Sequence, residues 1–177
     1  EIAGVDRVFL NSAIIKKPKL LSDAVKYFGS STIIASLEVI KSKNKFFCLT
    51  NSGREETNLD AISWAKQVAD MGASEIFLTS VDMDGTGKGF DRDLISKFNK
   101  YTSIPIIVSG GYGEPNHIKG IKKFKNISGI SIGSALHYSQ NFNFNFRHFK
   151  EGNYEFLKSK GQNIFKHTSI KKLKRLL

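Results

Sequence analysis

Apolar positions along the chain follow two rhythms that take turns. Short β-branched or aromatic runs read as strands: RVFLN (7–11), TIIASLEV (32–39), KFFCLTN (45–51), EIFLTSV (75–81), IPIIVSGG (104–111) and GISIGSAL (129–136), the last entering a helix. Between them lie longer stretches with apolar residues three and four apart. In KPKLLSDAVKYFG, Leu20, Leu21, Ala24, Val25 and Phe28 share one face, and Gly29 stops the helix. In LDAISWAKQVADMG (59–72), Asp60 is a candidate N-cap, Trp64 and Val68 are four apart, and Gly72 closes the helix. DRDLISKFNKY and NHIKGIKKF complete the helical set, and the polar link KSKN between two strands predicts a hairpin-like extension. Alternation of strand and helix with nearly unbroken apolar strands predicts an α/β fold, a parallel sheet covered on both faces by crossover helices.

The stretch LTSVDMDGTGKGFD (78–91) carries oxygen side chains at the spacing of a calcium-binding helix-loop-helix: Asp82, Asp84 and Thr86, then Gly87 and Asp93. That motif needs a helix before its first aspartate and an apolar eighth position. Here EIFLTSV reads as a strand and the eighth position is Gly89, so the stretch is better read as the top of a strand that holds a substrate.

FLNSAI (9–14) and SIGSAL (131–136) repeat one arrangement: a strand end, a small residue, then Ser-Ala and an apolar residue opening a helix. Their offset is 122 residues, about half of the roughly 250 in an eightfold barrel, so the repeat predicts a (β/α)8 TIM barrel of two similar halves. Backbone N–H groups at a helix start, a serine hydroxyl and a glycine that permits close approach suit a phosphate. Ser109, Gly110, Gly111, Gly133 and Ser134 are expected to form one phosphate site, and Asn11 and Ser12 half of a second. The plainer alternative is that the glycines only serve tight turns.

Composition narrows the class further. A chain of 177 residues, 40% hydrophobic, fits one globular domain. No apolar run approaches the roughly 18 residues of a membrane helix and no signal peptide is visible, so the expected location is cytoplasmic, with no membrane partner. The single Cys48 rules out an internal disulfide or a multi-cysteine zinc site and reads as a buried inert thiol. Net charge is +11, and residues 141 to 177 carry +7 of it. KHTSIKKLKRLL could be a nucleic-acid patch, but Ile170, Leu173 and Leu176 or Leu177 fit one helix stripe with solvated lysines around it, and no aromatic platform accompanies the charge. No nucleic acid, metal or cofactor is expected. The chain opens without Met inside a loop that runs into a strand, as a processed or cropped piece of a longer protein would.

GVDRVFLNSA, FGSSTIIASLE, GASEIFLTSVDMDGTGKGFD, IPIIVSGGYG and ISIGSALHY, in this order, resemble the cyclase subunit of imidazole glycerol phosphate synthase up to about residue 138. The resemblance implies that residues 1–177 are the C-terminal portion of one barrel domain, strands four to eight, with strands one to three, about 75 residues, lying upstream. It implies a cyclase and lyase of histidine biosynthesis that takes ammonia from a partner glutaminase in a heterodimer. Its substrate bears two phosphates, and the products are imidazole glycerol phosphate and aminoimidazole carboxamide ribotide. The family's second catalytic aspartate aligns with Glu38; one added methylene moves a carboxylate by roughly 1.5 Å, a shift that can cost about a hundredfold in rate. Asp84 aligns with a substrate-side aspartate, with Thr79 and Ser80 below it, Asp82 beside it, and Thr86 and Gly87 in a loop that closes over the ligand. Ser52 and Gly53 match the loop after strand five, where Asn51 replaces a bulkier residue. Arg7 and Glu75 stand in a ring of charges that gates ammonia, and Asp6 faces the glutaminase.

Glu38, Asn51, the segment QNFNFNFRHF (140–149) and the basic tail depart from the pattern. They keep open a paralogue that installs amidino nitrogen on bacterial surface sugars. A noncatalytic partner-docking scaffold is a further alternative, and its unpaired strand edges would favour association.

Overall fold

The computed structural model describes residues 4–141 and 164–176. β1 (Val8–Leu10), β2 (Ile33–Ser42), β5 (Glu75–Ser80), β6 (Ile106–Ser109) and β7 (Ile127–Ser131) pair in chain order, each parallel to the next. This is the succession of consecutive barrel strands, and the fold class is the α/β one the alternation predicts. Helices α1 (Ser12–Lys16), α2 (Lys19–Phe28), α3 (Ala61–Asp70), α4 (Arg92–Tyr101), α5 (Pro115–Lys119), α6 (Ser134–Asn141) and α7 (Ile170–Lys174) lie among the described residues.

Register separates the two faces of the sheet. Ala35 stands beside Ile76 and Ile76 beside Ile106; Leu37 stands beside Leu78 and Leu78 beside Val108. All six are buried, because this face lies under the helices with Trp64, Val68, Leu94 and Phe98. Side chains two residues apart share a face, so Ser36, Glu38, Phe77, Thr79, Ile107 and Ser109 occupy the opposite face and are half-buried. Each Leu or Ile taken out of water on the helix side contributes roughly 1.5–3 kcal/mol, which makes a slipped register costly.

The hairpin expected at KSKN is present. β3 (Lys45–Thr50) runs antiparallel to the upper half of β2, and Lys43 and Asn44 take the positive φ of a tight two-residue turn. β1 and β3 share one edge of β2: β1 pairs with Ile33, Ile34 and Ala35, and β3 with Glu38 through Ser42. β4 (Glu55–Asp60) then pairs antiparallel with β3. The sequence pattern did not predict it, because EETNLD has no apolar alternation; pairing and the Thr57 hydroxyl, which donates to the Cys48 carbonyl at 2.5 Å, hold it in place. The helix expected from Leu59 therefore starts after Asp60, which caps it by accepting from the Ser63 N–H at 2.8 Å. NHIKGIKKF is shorter than its pattern: α5 ends at Lys119, and Gly120 opens a turn that still buries Ile121.

In the tail, Leu173 is buried and Leu176 half-buried, as a helix stripe requires, while Ile170 is exposed. QNFNFNFRHF lies, from Phe142 on, outside the described residues. No helix among the described residues is long and apolar enough to cross a membrane.

Cys48 is fully buried, and burial, with a smaller contribution from the Asp60 charge, pushes its thiol up to about 12. Iodoacetamide at pH 8 is expected to leave Cys48 unmodified in the folded protein and to label it fully in urea, read by intact mass. Labelling of the folded protein at the rate of an exposed thiol would contradict this packing.

Candidate active site

The polar residues of the inner face gather at one level. Glu38 stands beside Thr79, Thr79 beside Ser109, and Ser109 beside Ser131, so four adjacent parallel strands present one row of oxygen-bearing side chains at their C-terminal ends. In α/β barrels this end carries the chemistry, because the loops that follow the strands converge there. Asn11, just past the end of β1, extends the row: its Nδ2 donates to the Glu38 carboxylate at 2.7 Å. The Asn11 Oδ1 is buried and has no protein donor.

At the β6–β7 side the row meets a small cleft lined by Asp84, Ser109, Gly110, Gly111, Gly133 and Ser134. All five residues expected to bind one phosphate are therefore brought together with the aspartate of the DGTGKG loop. Gly85, Tyr112, Ser131, Ile132, Ala135 and Phe165 complete the lining. Most of these border the predicted motifs in sequence; Phe165 lies 31 positions past Ser134 and carried no signal at all.

The glycines in the cleft do different jobs. Gly110 and Gly111 have φ of +90° and +99°, and a Cβ on Gly110 would lie 2.6 Å from the Ser80 carbonyl oxygen. A Cβ on Gly111 would overlap the Gly89 carbonyl, and the Gly89 N–H donates to the Gly111 carbonyl at 2.7 Å. The turn reading of this pair holds: the glycines let two loops touch backbone to backbone, and that contact shapes the cleft. Gly133 is different, since a Cβ there would meet nothing within 4 Å.

The second expected anion site lies at the other edge of the sheet. The Ser12 hydroxyl accepts from the Asn51 N–H at 2.8 Å, which ties the start of α1 to the β3–β4 turn that contains Ser52. Asn51, Ser52 and Gly53 have φ of 52°, 59° and 74°. An asparagine tolerates this left-handed region better than a bulky residue, which accounts for Asn51. Ser12 and Ser52 are not among the residues that line the Ser134 cleft.

Ser80 is not brought to the mouth. It shares the parity of Ile76 and Leu78, is buried, and points into the layer beside Phe90 and Leu94. Asp82 accepts from the Lys41 N–H at 2.8 Å, so it braces the loop base against β2 while Asp84 lines the cleft. The loop follows a strand, which removes the helix that the calcium motif needs.

At the opposite end of the strands, Arg7 pairs with Glu75, and Glu75 also accepts from the Ser128 hydroxyl at 2.9 Å. The pair reaches across β2, and the serine bond reaches across β6, so three strand starts are linked. Asp6 is exposed.

A parallel sheet in barrel order, with a carboxylate-bearing polar row and a glycine-lined cleft at its C-terminal end, has the architecture of the (β/α)-barrel class. The model of the family described as "Histidine biosynthesis protein" matches residues 2–142, and the chain belongs to that family. It is 40% identical over 139 residues to the imidazole glycerol phosphate synthase subunit HisF of Bacillus cereus strain AH187, covering 78% of this chain and 55% of that protein. The same subunit from strain Q1 is 39% identical over 139 residues, with the same coverage of each chain. The chain thus spans about half the length of the relatives it matches.

Gly111→Ala is expected to lower stability by about 3 kcal/mol, through positive φ and overlap with the Gly89 carbonyl, whereas Gly133→Ala should stay within about 0.5 kcal/mol. Urea midpoints of the two variants measure the difference. Equal losses would show that the close approach of the two loops is not needed for folding.

Proposed function

We propose that the chain is the strand-four-to-eight part of the cyclase subunit of imidazole glycerol phosphate synthase, with residues 1–177 forming the C-terminal portion of a single barrel domain. The reading is carried by one observation: the polar row Glu38, Thr79, Ser109, Ser131 ends in a cleft lined by Asp84 together with glycines and serines. The membership of the family and the identity to HisF supply the reaction. A substrate with two phosphate ends would place one in the cleft of Ser109, Gly110, Gly111, Gly133 and Ser134. The other would lie by Asn11, Ser12 and Ser52.

Addition of ammonia, cleavage and ring closure each move a proton, so two positioned carboxylates suit the reaction. Glu38 is one. Its bond from Asn11 Nδ2 fixes one carboxylate oxygen and leaves the other for the substrate. Asp84 is the second, on a loop whose glycines let it close over the ligand. Thr79, between Glu38 and Ser109 in register, orients the substrate's middle. Ammonia from a partner glutaminase would enter at the opposite end, past Arg7 and Glu75, with Asp6 on the partner face. The paired state of Arg7 and Glu75 makes that entrance a closed one, which a partner would open by competing for either charge.

Glu38→Gln and Asp84→Asn each remove a proton-transfer group and keep the shape, so each is expected to lower kcat by about a hundredfold or more with a small change in KM. The assay is steady-state turnover of the bis-phosphate substrate with ammonium by the full-length protein. Turnover by both variants at the wild-type rate would remove the assigned roles; no turnover by the wild type would remove the reaction.

A further inference from the structure

Residues 164 to 168 lie beyond the stretch that the family model matches, yet they are attached to three parts of the site. The Lys166 N–H donates to the Gly113 carbonyl at 2.9 Å, and the Lys166 ammonium pairs with Glu114, holding that carboxyl below its ordinary range. The Thr168 N–H donates to the Ser139 hydroxyl at 3.0 Å on α6. The Ile164 carbonyl and the Phe165 ring sit against Gly87 of the DGTGKG loop, where a Cβ would come within 3.0 Å and 3.4 Å of them. Loop after β5, loop after β6 and α6 are thereby tied by one short piece of backbone.

Phe165 is the centre of this strap. It is 2% exposed, its ring is stacked on Tyr138 with centroids 5.5 Å apart and planes 17° apart, and it lines the same cleft as Ser109, Gly110, Gly133 and Ser134. A benzyl side chain offers no hydrogen bond to an anion. What it offers is volume: it fills one wall of a cleft whose polar contacts all come from other residues. Removing the ring would enlarge the space beside the bound group without touching any donor.

We propose that residues 164–168 form a strap that makes Phe165 the size-determining wall of the anion cleft, so that the cleft takes a compact phosphate and rejects a phosphate carrying a bulky substituent close to it. The proposal rests on the anion reading of the cleft given above. The strap also makes the Gly-rich loop and the Gly110–Gly113 turn close as one unit, because both press on it.

The test compares inorganic phosphate with phenyl phosphate, titrated by calorimetry into the full chain. Wild type is expected to bind phosphate and to discriminate against phenyl phosphate. Phe165→Ala should shift the affinity ratio toward phenyl phosphate by about tenfold, the scale on which a hydrophobic pocket discriminates size. Phe165→Leu should fall between, and Lys166→Gln, whose side chain is 70% exposed, should shift the ratio in the same direction by loosening the strap while the urea midpoint stays put. If Phe165→Ala fails to fold, the Leu and Gln variants carry the comparison. An unchanged ratio in variants that still bind phosphate overturns the strap and leaves the anion site standing. No phosphate binding by folded wild type at tens of millimolar overturns the anion reading and the strap with it.

Discussion

Everything at the mouth depends on parallel strands pairing in one register. Glu38, Thr79, Ser109 and Ser131 are chemically useful because four backbones place them side by side, and what fixes those backbones is the apolar set one residue away. Ala35, Leu37, Ile76, Leu78, Ile106 and Val108 can be buried under the helices in only one alignment; a slip by one residue would send them into the interior of the sheet's other face and turn the polar row toward the helices. Folding and site assembly are therefore a single event. The side chains that never meet a ligand set the geometry for those that would.

Above that rigid row the loops are joined to one another rather than left free. Gly110 and Gly111 leave room for the backbone carbonyls of Ser80 and Gly89, the Gly89 N–H donates to the Gly111 carbonyl, Asp82 ties its loop to β2, and Asn51 ties the hairpin turn to Ser12. Such contacts place Asp84 on a segment that is braced at its base, at Asp82, and glycine-rich beyond it. Precision comes from the brace, and freedom to close comes from the glycines.

Much of this was legible in the sequence, and the misses share a cause. Every parallel strand was visible because a strand covered on both faces must be apolar along its length, and the cap at Asp60 follows from the side-chain oxygen that a helix start requires. The gathering of Ser109, Gly110, Gly111, Gly133 and Ser134 in one cleft was legible because two Gly/Ser strand ends follow one another in chain order. β4 was hidden: EETNLD is polar, and its place is set by β3 rather than by any pattern of its own. The dipeptide Thr79-Ser80 does not by itself tell its two hydroxyls apart; strand alternation sends one inward and the other under the helices. Phe165 was invisible, since a single phenylalanine in a polar tail says nothing of the strand end it will cover.

The hairpin on the upper half of β2 has a consequence for symmetry. FLNSAI and SIGSAL are near-copies in sequence, and a ring built from two such halves would present the same grip twice. Among the described residues the hairpin stands beside Ser12, whose hydroxyl accepts from the Asn51 N–H, whereas Ser134 lines the cleft. The mouth is therefore polar in the sense of an arrow: a long molecule laid across it meets a serine braced by a hairpin turn at one pole and a glycine cradle at the other, so head-to-tail reversal is not a degenerate binding mode.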